Sequence, residues 1–190
     1  MPSLPRFSTA VVAALLAAFT ATPASAETDW IWTSKNNVAQ QQTWGRAAFD
    51  LAKVPAKVQL LASGDNHVTV WVNGQPAGNS DEWQNPARTD ITKFLKAGHN
   101  VVSVLGRNDE GIACFAVRIE QGKTILLESN NQWRVTNTKP ADAWLQDGFN
   151  DSSWEVATVV AKLGASPWGN VFQAKAAGSK TPGRTPETTV

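Results

Sequence analysis

The chain has 190 residues, of which 42% are hydrophobic and 17% are charged. Its 17 Lys and Arg side chains against 16 Asp and Glu give a formal net charge of +1 without any run of like charges, which argues against electrostatic capture of nucleic acid or of an anionic membrane. The one cysteine, Cys114, excludes an intramolecular disulfide, and its place in the apolar run ACFAV predicts a buried small hydrophobic residue.

The first 26 residues have the composition of a secretory signal peptide. Arg6 is followed by an apolar run from Ala10 to Phe19, too short to span a bilayer, and then by Ala24-Ser25-Ala26 before Glu27. We therefore expect export to the periplasm or beyond the cell, with no membrane insertion after cleavage. An uncleaved anchor is the alternative. Residues 27–173 are expected to form one domain, and residues 174–190, AKAAGSKTPGRTPETTV, a disordered tail.

The periodicity of the mature chain is that of β-strands. Six short segments are rich in β-branched or aromatic residues and mostly alternate between apolar and polar positions. They are residues 44–51, 57–63, 67–73, 100–107, 112–120 and 123–129. Gly, Asn and Asp clusters separate them, so the spacing predicts an all-β fold, an antiparallel β-sandwich, rather than alternating strand-helix units.

Two of the connections can be predicted in more detail. Asn73-Gly74 lies between two strands, and this dipeptide is typical of a type I′ hairpin turn; the rim of a ligand site is the alternative. Residues 90–100, DITKFLKAGHN, predict one helical turn. Asp90 would be its N-cap, Phe94 and Leu95 would pack inward, and Gly98 would adopt a left-handed conformation after it.

The aromatic composition is unusual, with nine tryptophans and no tyrosine. We expect one group of tryptophans in the core: Trp71, Trp133, Trp144 and Trp154. Those near the two ends of the domain are expected to meet and close an edge of the sandwich: Trp30, Trp32 and Trp168.

Three segments occur in an order that resembles a known family. They are ASGDNHVTVWVNGQPAG, EWQNPARTDITKFLKAGHNVVSV and DGFNDSSWE. In this order they resemble the galactose-binding-like jelly-roll domains, especially the sugar-binding domains of glycoside hydrolase family 2 and the N-terminal domains of α-L-rhamnosidases. The resemblance extends over residues 30–172. It implies a jelly-roll topology, an accessory rather than catalytic role because catalysis in those enzymes resides in a separate barrel, and a structural calcium ion that the loop acids would permit.

A candidate sugar site lies in residues 78–90, GNSDEWQNPARTD. An indole can stack on the apolar C–H face of a sugar, while carboxylates, amides and guanidinium groups bind its hydroxyls. The sequence therefore predicts Trp83 as a stacking platform with Asp81, Asn85 and Arg88 as hydrogen-bonding partners. Two interpretations of Trp83 remain open, a platform for a sugar or a plug that packs under the loop. Asp65 and His67 form a second candidate rim, which a turn before a strand explains equally well.

Catalytic signatures are weak. Acids occur in several loops, at Asp65, Asp81, Glu82, Asp109 and Glu110, but scattered loop acids are typical of turns rather than of a catalytic pair. The two histidines have no G-x-S-x-G serine, and no H-E-x-x-H or C-x-x-C metal motif occurs. The prediction is an exported, non-catalytic module that binds a glycan or glycoconjugate without a cofactor. A scaffold domain that binds another exported protein is the alternative, and a small glycoside hydrolase is a third hypothesis.

Overall fold

The computed structural model of the chain describes residues 27–36 and 38–173. The expected signal peptide and the expected disordered tail lie outside these residues. Within them, the backbone forms two six-stranded antiparallel sheets that pack face to face, so the prediction of an all-β sandwich with jelly-roll topology is confirmed. No helix in these residues is long and apolar enough to cross a membrane.

Twelve strands and two short 3-10 turns make up the domain. The strands are β1 (Asp29–Trp32), β2 (Gln41–Leu51), β3 (Gln59–Asp65), β4 (His67–Val72), β5 (Gln75–Ser80), β6 (Ala87–Asp90), β7 (Gly98–Asn108), β8 (Cys114–Gln121), β9 (Thr124–Glu128), β10 (Arg134–Thr136), β11 (Glu155–Val156) and β12 (Thr158–Lys162). The 3-10 turns are Thr92–Phe94 and Asp142–Leu145.

The two sheets have different strand orders. The first sheet has the order β12-β1-β8-β3-β6, with β9 also paired to β8, and the second has the order β11-β10-β2-β7-β4-β5. The long strands β2 and β7 pair over their whole length, from Gln41 opposite Asn108 to Leu51 opposite Gly98. Alternate residues of both sheets point inward and form the main core cluster, which includes Trp32, Val104, Phe115 and Trp133.

A second core cluster covers the outer face of the first sheet. It contains Trp30, Leu61, Cys114, Ala116, Trp168 and Phe172, and Trp83 packs against it from the loop after β5. Trp168 and Phe172 belong to the segment that follows β12, and this segment folds back over the sheet. Cys114 is buried there, as predicted, and burial raises the pKa of its thiol above the ordinary range.

The Asn73-Gly74 turn is confirmed. It joins β4 to β5 with two residues, both of which have positive φ, 49° and 78°. The Asn73 side chain also binds neighbouring segments: its amide donates to the Phe94 carbonyl and to Asn100 Oδ1, and its oxygen accepts from the Val101 amide, each at 2.9 Å. The side chain is thus engaged in joining the hairpin to β7, so it is not free to serve as the rim of a site.

The predicted helical turn at residues 90–100 was wrong in extent. Asp90 ends β6, only Thr92–Phe94 form a 3-10 turn, and Gly98 already begins β7. The Asp90 carboxylate accepts hydrogen bonds from the Thr92 hydroxyl and amide at 2.7 and 3.0 Å, and these bonds hold the pKa of Asp90 below its ordinary value. Pairing of β6 with β3 and of β7 with β2 leaves too few residues for a longer helix. Gly98 does have positive φ, 82°, and Phe94 and Leu95 do pack against the main core.

The tryptophans are distributed differently from the prediction. Trp133 and Trp144 are buried as expected, whereas Trp71 and Trp154 are half-buried and belong to neither core cluster. Trp30 and Trp32 are not edge residues but fully buried, because β1 lies between β12 and β8. The expected meeting of the two ends is confirmed, since the Trp30 and Trp168 ring centroids are 5.3 Å apart.

Candidate functional site

The backbone of the loop between β5 and β6 is anchored at Trp83. The Ser63 hydroxyl of β3 donates to the Trp83 carbonyl at 2.7 Å, the Ser80 hydroxyl donates to the Glu82 carbonyl at 2.8 Å, and the Asn85 amide closes a turn on the same Glu82 carbonyl at 2.9 Å. The Trp83 side chain packs against the second core cluster yet remains partly exposed. Trp83 thus has features of both the plug and the platform: one part of the ring packs against the core, and another part lies at the surface.

A cleft of about 550 Å³ opens beside this loop. Its lining consists of Trp83, Gln84, Asn85, Pro86, Arg88, Trp168, Asn170, Val171 and Gln173. The structure therefore brings together three of the predicted site residues, Trp83, Asn85 and Arg88. It adds a second wall from residues 168–173, which the sequence interpretation assigned only to closing the sandwich.

Arg88 connects the two walls of the cleft. Its side chain is exposed, and its Nη2 donates to the carbonyl oxygens of Val171 and Gln173, each at 3.1 Å. Its backbone is held in β6 opposite Leu61 of β3. The guanidinium thus orders the C-terminal wall while its own position is set by the sheet.

Trp168 forms the floor where the two ends of the domain meet. The residue is 5% exposed, its ring is tilted by 35° against Trp30, and its Nε1 donates to Asp65 Oδ2 at 2.8 Å. One predicted site residue, Asp65, therefore fixes the orientation of an indole in the cleft. Asp65 and Trp168 are 103 positions apart in the sequence, and no local pattern could predict their contact.

The remaining predicted residues lie on the other side of Trp83. A smaller pocket of about 110 Å³ is lined by Asp65, Asn66, His67, Asp81, Glu82, Trp83 and Asp109. Asp81 lines this pocket and not the cleft, so it is separated from its expected partners Asn85 and Arg88. Trp83 lines both depressions and stands between them.

His67 is held between two carboxylates in this pocket. Its Nε2 lies 2.9 Å from Asp109 Oδ2, and its Nδ1 lies 3.4 Å from Asp81 Oδ1. The Asp109 amide in turn donates to Asn66 Oδ1 at 2.7 Å. Three of the carboxylates considered for catalysis are thus engaged, Asp81 and Asp109 with an imidazole and Asp65 with an indole. Within residues 27–36 and 38–173, no group of three or more His, Cys, Asp or Glu side chains could hold a metal ion.

Comparison with known proteins identifies relatives of this architecture. No family model matches the chain. It is 30% identical over 169 residues to an α-L-rhamnosidase of Streptomyces avermitilis, and this alignment covers 82% of the chain but 16% of the relative. The chain therefore spans about one sixth of the length of that curated relative.

Solved structures give the same result. The crystal structure of the Streptomyces avermitilis α-L-rhamnosidase, complexed with L-rhamnose, matches with a TM-score of 0.69 at 28% identity, over 76% of this chain and 15% of that chain. The apo form of a lectin from Pleurotus ostreatus matches with a TM-score of 0.67 at 21% identity, over 76% of this chain and 44% of that chain. These matches confirm the resemblance to a domain of α-L-rhamnosidases, and the lectin match confirms the fold.

Proposed function

We propose that this domain is an exported, non-catalytic carbohydrate-binding module whose glycan site is the cleft between residues 83–88 and 168–173. One observation carries the proposal: two indole side chains, Trp83 and Trp168, line the same cleft as a set of amides and a guanidinium. The signal-peptide pattern of residues 1–26 supports export.

The chemistry of the lining suits a sugar. The exposed part of an indole can stack on the apolar C–H face of a pyranose, and Trp83 is partly exposed in the cleft. Planar amides can donate to and accept from adjacent hydroxyls, and four of them line the cleft, at Gln84, Asn85, Asn170 and Gln173. A shallow site of this kind buries little area, so we expect a Kd in the range of roughly 1 mM to 1 μM.

The relatives support the same class of ligand. One similar structure is an α-L-rhamnosidase complexed with L-rhamnose, and another is a Pleurotus ostreatus lectin complexed with GalNAc. Because this chain corresponds to a small part of the rhamnosidase, its similarity to that enzyme supports sugar recognition rather than hydrolysis. A glycosidase requires two carboxyl groups across the scissile bond, and none of the cleft-lining residues that the structure describes is an Asp or a Glu.

A protein-binding scaffold is less well supported than a glycan module. That function calls for a contiguous apolar patch without polar partners. Around Trp83 and Trp168, the lining instead alternates apolar rings with amides and Arg88, and the Trp168 Nε1 is already bonded to Asp65.

The test is a glycan-array screen of the purified protein beside Trp83→Ala. We expect the parent to bind a subset of glycans and Trp83→Ala to lose at least about tenfold in affinity, because the stacking surface is removed. Since Trp83 is only half-buried, the cost in unfolding free energy should stay below the ~3–5 kcal/mol of a fully buried aromatic cut to alanine.

Two further variants make the screen decisive. Trp154→Ala removes another half-buried tryptophan, which packs on Phe149 away from the cleft, and should leave binding unchanged. Asn170→Ala changes the other wall and should weaken binding without a large change in stability. If the folded parent binds no glycan, or if Trp154→Ala weakens binding as much as Trp83→Ala, the proposal is wrong.

A further inference from the structure

We propose that the cleft selects glycans that carry a carboxylate, such as a uronic acid residue, and that the Arg88 guanidinium binds this carboxylate; this inference rests on the proposed function. The nearest alternative is a neutral sugar held by stacking and amide hydrogen bonds alone. The two differ in what Arg88 does, and its surroundings favour the first.

The charges of this end of the sandwich are separated across Trp83. Among the described residues that line the cleft, Arg88 is the one charged side chain. The acids of the neighbourhood line the smaller pocket on the other side of Trp83, where Asp81 and Asp109 contact His67. Among the residues that line the cleft, a ligand therefore meets a single positive charge and no carboxylate, and the Asp65 carboxylate, which contacts the cleft residue Trp168, is already bonded to its Nε1.

The Arg88 charge is held in place but not neutralised. Its two hydrogen bonds go to the carbonyls of Val171 and Gln173, which carry no net charge. No carboxylate of the described residues forms an ion pair with Arg88, in contrast to Arg46, which pairs with Asp151 at 2.9 Å. An immobilised guanidinium that has already lost conformational freedom binds an incoming anion at a smaller entropic cost.

The hydrogen bonds leave suitable donors for a carboxylate. A guanidinium has five N–H donors, of which Nη2 supplies two. Both bonds from Arg88 to the carbonyls start at Nη2 and use its two hydrogens, so the Nε hydrogen and the two Nη1 hydrogens are unused within the described residues. Because both bidentate edges of a guanidinium include Nη2, a carboxylate would bind here through a charge-assisted hydrogen bond from Nη1 or Nε rather than through a bidentate pair. A neutral hydroxyl would use one of these donors and none of the charge.

The test compares ligands that differ only in the carboxylate. Oligomers of glucuronic, galacturonic and mannuronic acid would be titrated calorimetrically into the intact protein beside the same oligomers with the carboxyl reduced to a primary alcohol. We expect at least one acidic oligomer to bind about tenfold or more tightly than its reduced form. This preference should shrink as salt is raised, because Arg88 is exposed.

The variant Arg88→Gln should abolish the preference and leave the weaker binding of the reduced form in place. Arg88→Lys keeps the charge but loses the pair of hydrogen bonds that fix it to residues 171 and 173, and it should retain part of the preference. Arg107→Gln, which removes a cation outside the cleft, is the matched control and should bind like the parent.

Each other outcome overturns a specific statement. Equal binding of acidic and reduced forms by the parent would overturn the inference about Arg88 while leaving the glycan module intact. Loss of both forms in a folded Arg88→Gln variant would show that Arg88 only orders residues 171–173, and would also overturn it. If the array finds no glycan at all, the proposed function fails, and this inference fails with it.

Discussion

Gly106 lies where β7 meets the buried ring of Trp32. A Cβ placed on it would collide with Cζ3 of the Trp32 ring, would lie 2.8 Å from Cη2 and would lie 3.2 Å from Cδ1 of Phe115. Both rings are fully buried, so neither can move away without displacing other core residues. The glycine is therefore required by packing and not by backbone conformation.

We predict that Gly106→Ala lowers the unfolding free energy by about 1–3 kcal/mol or more, the usual cost of overpacking a core. Denaturant unfolding followed by tryptophan fluorescence measures the loss. Gly78→Ala is the matched control, because its Cβ would meet Thr89 and Ala87 at 3.2 and 3.3 Å near the surface, where small shifts relieve the contact. An equal loss in both variants would contradict the packing explanation.

Residues whose role depends on local chemistry were predictable, whereas those that depend on distant partners were not. Asn73-Gly74 was predicted because a two-residue turn between strands constrains φ by itself. The exact role of Trp83 was left open because its burial depends on the second core cluster. The separation of Asp81 from Asn85 and Arg88 could not be predicted either, because it depends on contacts with residues from other strands and loops. His67 of β4 contacts Asp81, and His67 is itself positioned by Asp109 from the loop after β7, so Asp81 lines the smaller pocket instead of the cleft.

At the scale of elements, one arginine attaches a whole loop to the second sheet. Arg46 of β2 is 5% exposed, and its Nε donates to Asp151 Oδ2 at 2.9 Å. Its Nη1 donates to the Trp144 carbonyl, and its Nη2 donates to the Gln146 carbonyl at 3.3 Å. The guanidinium also lies 5.2 Å from the centre of the Phe149 ring. Residues 142–151, which contain no strand, are thus contacted at four positions by this one side chain.

We predict that Arg46→Met lowers the unfolding free energy by about 3–5 kcal/mol, because Asp151 and two carbonyls lose their partner in a largely buried position. Lys96→Met is the control, since Lys96 reaches Asp147 of the same loop through an ion pair in which both side chains are about half exposed, and its loss should cost no more than about 1 kcal/mol. Urea unfolding of both variants measures the difference. A loss in Arg46→Met as small as that in Lys96→Met would show that the loop is held by its apolar contacts alone.

The elements found from sequence are those with a clear alternation. Six of the strands were predicted close to their observed bounds: β2, β3, β4, β7, β8 and β9. Two strands between them were not predicted. They are β5, QPAGNS, which contains Pro and Gly, and β6, ARTD, which is short and polar. Both lie at sheet edges, where one partner strand is enough and apolar alternation is not required. The strands β1 and β10–β12 are two to five residues long, too short for periodicity to show.

At the scale of the whole molecule, the cleft forms where the two ends of the domain meet. The segment after β12 covers the outer face of the first sheet, and the same segment supplies Trp168, Asn170 and Gln173 to the cleft. The continuous apolar character of residues 113–117 reflects this arrangement: Phe115 and Val117 face the main core, and Cys114 and Ala116 face the second cluster. Sequence analysis predicted the sandwich and that its ends meet, but the position of the cleft required the path of the returning segment.

The second core cluster should be able to open without the rest of the domain, because the first sheet is covered there by one returning segment rather than by another sheet. Cys114 reports on this opening, since its thiol is buried in the cluster and reacts only when exposed. We predict that Trp168→Ala increases the rate of Cys114 labelling by a thiol reagent by at least about tenfold. The indole that packs on Trp30 and bonds to Asp65 is then absent.

The denaturant dependence of the labelling rate distinguishes local from global opening. Val104→Ala is the matched control, because Val104 belongs to the main core cluster on the other face of the first sheet. In Trp168→Ala, labelling should depend weakly on urea, since opening of one segment exposes little surface; in Val104→Ala, it should have the steeper dependence of global unfolding. Equal slopes in the two variants would mean that both clusters unfold as one unit. The cleft, whose second wall is the same segment, would then be as rigid as the sandwich itself.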